Sequence, residues 1–111
     1  MADKIGGSGD SPNISPADRK MYKNEYKHAA DLFERTLNED VKSDNMYQQD
    51  EFRKVMEQSV QVLKETAIAL KQDKLMDQAN KIEEDLAAYQ KDRSPASIFE
   101  LHKDLEKAKK G

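Results

Sequence analysis

The stretch from Met46 to Leu70 constrains the fold more than any other part of the chain. It contains 25 residues and has neither glycine nor proline. Its apolar residues recur at the i, i+3, i+4 and i+7 spacing of a helix that buries one face. They are Phe52, Val55, Met56, Val60, Leu63, Ala67 and Leu70. Because the remaining positions are largely polar or charged, other helices must cover the apolar face, and the pattern predicts an amphipathic helix inside a helical bundle.

Composition supports an all-α fold in one small domain. The chain has 111 residues and a net charge of −3, and Pro95 is the only proline or glycine between residues 17 and 110. A β protein needs far more of these turn residues. We therefore predict a small antiparallel bundle of three long helices and a short C-terminal helix, following a disordered N-terminal tail.

The helix boundaries follow from capping signals. Residues 1–14 are rich in glycine and serine and are predicted to form the disordered tail, and residues 15–111 form the bundle. Ser15, Pro16 and Asp18 together make a typical helix start. The predicted helices cover about 15–39, 45–71, 73–92 and 95–109.

Three connections join these helices. The polar segment Glu39–Asn45 is predicted to be a loop in which Val41 folds back onto the bundle and Ser43 or Asn45 caps the second helix. Between the second and third helices, either Lys71–Asp73 is a tight turn capped by Asp73, or one helix continues through a phase slip. We favour the turn.

The last connection lies around Pro95. Either Ser94 caps the fourth helix or Ser97 and Glu100 form a capping box one turn later. The fourth helix is predicted to bury Ile98, Phe99, Leu101, Leu105 and Ala108.

No pattern in the sequence indicates catalysis, a cofactor, a metal or a small-molecule ligand, so we do not expect an enzyme. Glu83, Glu84 and Asp85 are consecutive. Because consecutive helical side chains point about 100° apart, these three carboxylates cannot jointly hold one metal ion. Histidine phosphotransfer domains have a lysine three positions and a glycine four positions after the phosphoacceptor, and neither His28 nor His102 has them at that spacing. No block is basic enough to predict nucleic-acid binding, and no apolar run reaches the roughly 20 residues of a membrane span.

The absence of cysteine excludes disulfides but does not indicate a compartment. The N-terminus lacks the apolar core of a signal peptide. We therefore expect a cytoplasmic protein, and export through a disordered N-terminus stays open.

One local resemblance bears on function. The segment Tyr26-Lys-His-Ala29-Ala-Asp-Leu-Phe33-Glu-Arg-Thr-Leu37-Asn-Glu-Asp40 resembles the second helix of a tetratricopeptide repeat. That resemblance implies a peptide-binding, chaperone-like role. The repeat's first helix has no counterpart upstream, and no second copy follows at the repeat period. An ordinary amphipathic helix is the interpretation we prefer.

The function we predict is protein–protein interaction by a small acidic adaptor, regulator or chaperone-like subunit. Some apolar residues widen a helix stripe beyond what one core needs, and these are the predicted contacts for a partner helix. They are Leu32, Val55, Val62, Met76 and Phe99. The alternative is a self-assembling or exported structural protein, such as a secretion-system or particle component. The strict heptad of Leu75, Ala79, Ile82, Leu86 and Tyr89, typical of a coiled coil, favours that alternative.

Overall fold

Four α-helices, joined by short links, make up the part of the chain that the computed structural model describes, residues 14–110. They are α1 (Pro16–Lys42), α2 (Met46–Leu70), α3 (Asp73–Lys91) and α4 (Pro95–Lys110). No strand occurs in this range, and the predicted all-α fold is confirmed. The predicted disordered tail, apart from Ile14, lies outside the described residues.

The start of α1 follows the predicted signal. The Ser15 hydroxyl accepts a hydrogen bond from the Asp18 N–H at 3.1 Å, and Pro16 takes the first helical position. The predicted loop over residues 39–45 is wrong, because α1 continues to Lys42 and only Ser43–Asn45 link it to α2. Val41 is consequently helical and partly exposed, and does not fold back.

Asn45 rather than Ser43 caps α2. Its Oδ1 accepts from the Tyr47 N–H at 2.9 Å and from the Gln48 N–H at 3.1 Å. At the other end, Lys71 takes a left-handed conformation with φ 56° and ends α2. The Gln72 N–H then reaches back to the Ala67 carbonyl at 3.3 Å, the pattern of a Schellman motif.

The Lys71 turn separates α2 from α3, so the favoured alternative, a turn, is confirmed. The predicted capping role of Asp73 is wrong: Gln72 occupies the N-cap without a side-chain hydrogen bond, and Asp73 begins the helix. At α4 the Ser94 hydroxyl accepts from the Ser97 N–H at 3.2 Å, as the first of the two alternatives predicted.

Each helix packs against two neighbours. α1 and α3 both contact α2 and α4, and neither α1 with α3 nor α2 with α4 forms an adjacent pair in the described residues. Consecutive helices therefore alternate in direction around an up-down-up-down bundle. The five residues of the α3 heptad all lie buried in this core.

Tyr26 connects α1 to α3, two helices that are not neighbours in the bundle. Its ring is buried, and its hydroxyl donates to the Leu75 carbonyl at 2.9 Å, with Gln78 Oε1 at 3.1 Å. Burial raises the pKa of the Tyr26 phenol, so the group stays a neutral donor. This hydrogen bond ties the first turn of α3 to α1 across the core.

Candidate functional site

An apolar groove runs along the outer side of the α1–α2 pair. Its volume is about 560 Å³. Three predicted contact residues, Leu32, Val55 and Val62, line it together with Tyr22 and Ala29. Leu32 is 50% exposed and Val62 37% exposed, so these side chains are open to a partner while both helices bury their inner faces.

The groove has a defined direction because α1 and α2 are antiparallel and joined by only three residues. Leu32 stands eleven residues before Ser43 and Val55 ten residues after Asn45. At a rise of about 1.5 Å per residue, both lie about 16 Å from the link. Tyr22 is a further ten residues along α1, which makes the groove about 15 Å long.

The end of the groove that is remote from the link is acidic. Glu25 lies eighteen residues before Ser43 and Glu65 twenty residues after Asn45, about 28 Å from the link. Both carboxylates belong to the lining, as do His28 and Gln58. The apolar centre of the groove is therefore bordered by negative charge at one end.

The Ser59 and Thr66 hydroxyl groups in the groove are already hydrogen-bonded within α2. Ser59 donates to the Val55 carbonyl at 2.9 Å and Thr66 to the Val62 carbonyl at 2.7 Å. A hydroxyl bonded to its own helix presents mainly its carbon atoms to a partner. The surface between Leu32 and Val62 is therefore apolar.

The other two predicted contact residues lie elsewhere. Phe99, on α4, is 65% exposed, so the prediction that α4 buries it is wrong. Met76, on α3, is half-buried against the core. The structure thus brings Leu32, Val55 and Val62 together and leaves Met76 and Phe99 outside the groove.

A buried carboxylate near the α1–α2 link forms a cluster that the sequence did not predict. Asp40 Oδ2 accepts from the Tyr89 hydroxyl at 2.5 Å and from Arg93 Nη1 at 2.7 Å. Arg93 Nη2 also donates to the Asp40 carbonyl at 2.6 Å, and the guanidinium lies 4.9 Å from the centre of the Tyr89 ring. Asp40, Tyr89 and Arg93 are called the Asp40 cluster below.

The α3–α4 contact contains a second polar group. Asp85 and Asp104, called the Asp85 pair below, lie beside Lys81. Lys81 Nζ lies 2.7 Å from Asp85 Oδ1 and 3.6 Å from Asp104 Oδ2. Both aspartates are nearly buried. Burial and the adjacent Asp104 raise the pKa of Asp85 to about 6, although Lys81 acts in the opposite direction.

The α1–α4 contact is polar at its edge. Glu34 receives Lys109 Nζ at 2.5 Å on one oxygen, and its other oxygen lies 3.1 Å from His102 Nδ1. Burial alone would raise the pKa of Glu34, but the hydrogen bonds from Lys109 and His102 outweigh it and lower the pKa. These groups fix α4 against α1 and present no reactive arrangement.

The fold and groove together define a small antiparallel four-helix bundle with an apolar groove along its α1–α2 pair. Comparison with protein-family models, with curated proteins and with solved structures finds no significant match to this chain. Within residues 14–110, no three histidine or acidic side chains converge to hold a metal ion. None of the four described helices is long and apolar enough to cross a membrane.

Proposed function

We propose that this chain is a cytoplasmic protein-binding module, an adaptor or chaperone-like subunit, which receives an amphipathic helix of a partner in the α1–α2 groove. The observation that carries the proposal is the convergence of Leu32, Val55 and Val62 in one groove. Apolar side chains left open along a seam between two helices form the receiving surface of helix-in-groove recognition.

The dimensions of the groove indicate how much of a partner it holds. A groove about 15 Å long accepts about three turns of helix. Such a segment presents anchors at i, i+3 or i+4, and i+7. These anchors can contact Leu32 and Val55, which lie opposite each other, and then Val62 farther from the link. The bound helix would bury these three side chains from water, and that burial supplies the main driving force.

The charge at the remote end favours a basic partner. Glu25 and Glu65 lie beside the apolar floor, and complementary charge speeds association and selects partners more than it adds affinity. The partner we propose is therefore an amphipathic helix whose apolar stripe ends beside lysine or arginine.

The proposal is tested with two synthetic helical peptides that share one leucine stripe, flanked by lysines in one and by glutamates in the other. NMR titration of the labelled protein with the lysine peptide should shift the amide signals around Leu32, Val55 and Val62. The glutamate peptide should bind more weakly. The double variant Leu32→Ser, Val62→Ser should weaken binding of the lysine peptide at least about tenfold, since anchor residues carry most binding energy.

The matched control for this experiment is Ile68→Ser. Ile68 is also on α2 and is 63% exposed, but it does not line the groove, so its replacement should leave the titration unchanged. Equal losses in the control and the double variant, or signal shifts centred on Phe99 or Met76, would refute the proposed site.

The self-assembly alternative has less support than the heptad pattern suggested. Leu75, Ala79, Ile82, Leu86 and Tyr89 are buried inside the chain's own core, where they pack against the other helices and are covered from a second copy. Sedimentation over a wide concentration range separates the two proposals: a monomer supports the binding module, and a concentration-dependent dimer supports assembly.

A further inference from the structure

Asp85 and Asp104 place two carboxyl groups in one nearly dry contact between α3 and α4. Their exposed fractions are 6% and 7%. Both carboxyl groups face the same ammonium group, since Lys81 Nζ lies 2.7 Å from Asp85 Oδ1 and 3.6 Å from Asp104 Oδ2. Each has one oxygen, Oδ2, without a hydrogen-bond partner among the described residues. Two ionised carboxylates in this position would repel each other and would be poorly solvated.

The positive charge available to the Asp85 pair is limited. Lys81 is the nearest cation, its Nζ also lies 3.9 Å from a Glu100 oxygen, and its side chain is about half exposed. One lysine thus faces three carboxylates. Other charged groups of both helices border the shallow cavity beside Asp104 and form no ion pair with either aspartate. They are Lys74 and Asp77 on α3, and Lys103 and Lys107 on α4.

The remaining neighbours of α3 do not change this balance. On the α2 side, Lys64 pairs with Glu83 at 2.7 Å and Glu57 contacts Gln90, on the opposite flank of α3. From α1, two titratable groups contact α3. The Tyr26 hydroxyl is held by Leu75 and Gln78, and the Asp40 carboxylate is held by Tyr89 and Arg93.

We propose that Asp85 and Asp104 share one proton, and that the α3–α4 contact is tighter with this proton bound than without it. In the protonated pair, the O–H of one carboxyl group donates to the other carboxylate, and a single negative charge faces Lys81. When the proton leaves to solvent, two negative charges face the same lysine. The stability of the α3–α4 contact therefore depends on pH.

The direction of the pH dependence follows from the proton count. Burial and the neighbouring Asp104 raise the pKa of Asp85 to about 6, whereas an unfolded aspartate has a pKa of about 3.9. Between these values the folded chain binds more protons than the unfolded chain, so stability falls as the pH rises. For this pKa difference the folding equilibrium constant should drop about tenfold between pH 5 and pH 7.5.

The test is urea unfolding of the full chain at a series of pH values from 5 to 7.5. The wild type should show the tenfold drop with a midpoint near pH 6. Asp104→Asn should abolish it, because a neutral amide can donate to Asp85 at every pH. Asp85→Asn, the second variant, should behave in the same way. A flat wild-type profile, or a full drop retained in both variants, overturns the proposal.

Histidine titrates in the same range, so His102 beside Glu34 requires a control. The variant His28→Gln, His102→Gln should keep the drop if the Asp85 pair causes it. Loss of the drop in this control would assign the pH dependence to the histidines and overturn the proposal. Carbon-13 NMR of the side-chain carboxyl groups provides the direct readout, and the shared proton predicts a titration near pH 6 for this pair.

Discussion

The Asp40 cluster and the Asp85 pair both bury aspartate between helices, but they supply it with very different partners. In the Asp40 cluster, Oδ2 receives both a hydroxyl and a guanidinium, while Oδ1 is buried without a hydrogen-bond partner among the described residues. In the Asp85 pair, two carboxylates depend mainly on one half-exposed lysine. Buried charge contributes to stability only where donors replace the lost water, so we expect the two regions to respond to the same substitution with opposite signs.

The largest effect is expected for Asp40→Asn. The amide oxygen can still accept the two hydrogen bonds that Asp40 Oδ2 now accepts, but the negative charge that pairs with Arg93 is lost. Asp40 is buried but Arg93 is 37% exposed, so the expected cost is about 2 to 3 kcal/mol, at the lower end of the range for breaking a buried pair. Urea unfolding at pH 7.5 should show this loss, whereas Asp104→Asn should raise stability at the same pH.

The opposite sign of these two substitutions is the critical observation. Both exchange a buried carboxylate for an amide of the same shape, so a general effect of the amide would act on them alike. If both variants lost stability equally at pH 7.5, the contrast between the two regions would be incorrect.

A smaller loss is expected for Tyr89→Phe. The ring and its contact with Arg93 remain, and only the donor to Asp40 disappears. Burial and the Asp40 carboxylate raise the pKa of Tyr89, so the hydroxyl is a donor throughout the accessible pH range. A hydrogen bond to a charged group contributes about 1.5 to 2 kcal/mol, and thermal or urea unfolding measures it.

Tyr47→Phe is the matched control for Tyr89→Phe. Tyr47 is highly exposed at the start of α2. No described residue accepts a hydrogen bond from its hydroxyl. The free energy of unfolding of the Tyr47→Phe variant should stay within about 0.5 kcal/mol of the wild-type value. An equal loss in both variants would show that the Asp40 cluster does not contribute through this hydroxyl.

The all-α fold and three of the groove residues could be predicted from the sequence, because both predictions depend on local periodicity. The stripes on α1 and α2 identify Leu32, Val55 and Val62 as residues beyond the core face, and short antiparallel linkage places them in one groove. Phe99 was misassigned because its neighbours Ile98 and Leu101 belong to the apolar stripe, and adjacent helical positions differ by 100°.

The Asp40 cluster could not be predicted in the same way. Asp40 and Arg93 are 53 residues apart, and their contact depends on how the end of α1 aligns with the end of α3. That alignment requires α1 to continue through Asp40 to Lys42, whereas its polar sequence resembles a loop. Tertiary contacts therefore decide the state of a segment whose local sequence favours another.

Similar reasoning explains the Lys71 turn. The phase of the apolar stripe changes after Leu70, which predicts a break, but a left-handed residue is usually glycine. Here a lysine takes this conformation because the stripes of α2 and α3 can both reach the core only if the chain reverses there. The pattern locates the turn, and the packing supplies its geometry.

The smallest effect is expected for Lys81→Met, and it depends on pH. At pH 5 the protonated Asp85 pair carries one negative charge, and loss of a half-exposed lysine should change stability by less than about 0.5 kcal/mol. At pH 7.5 both carboxylates are charged, and the loss should be about 1 kcal/mol. Since Lys81 lowers the pKa of Asp85, the titration midpoint should also move above pH 6.

Lys103→Met separates this effect from a general loss of surface charge. Lys103 has a similar exposure and pairs with Glu100 at 3.7 Å, but it lacks the short contact with Asp85 that Lys81 makes. The Lys103→Met variant should keep the titration midpoint of the Asp85 pair near pH 6, as followed by carbon-13 NMR of the carboxyl groups. A midpoint that stays constant in Lys81→Met, or moves equally in both variants, would mean that Lys81 does not set the charge balance of the pair. Because the Asp40 cluster has a guanidinium and a hydroxyl on one oxygen, it should show no such pH-dependent response to either variant.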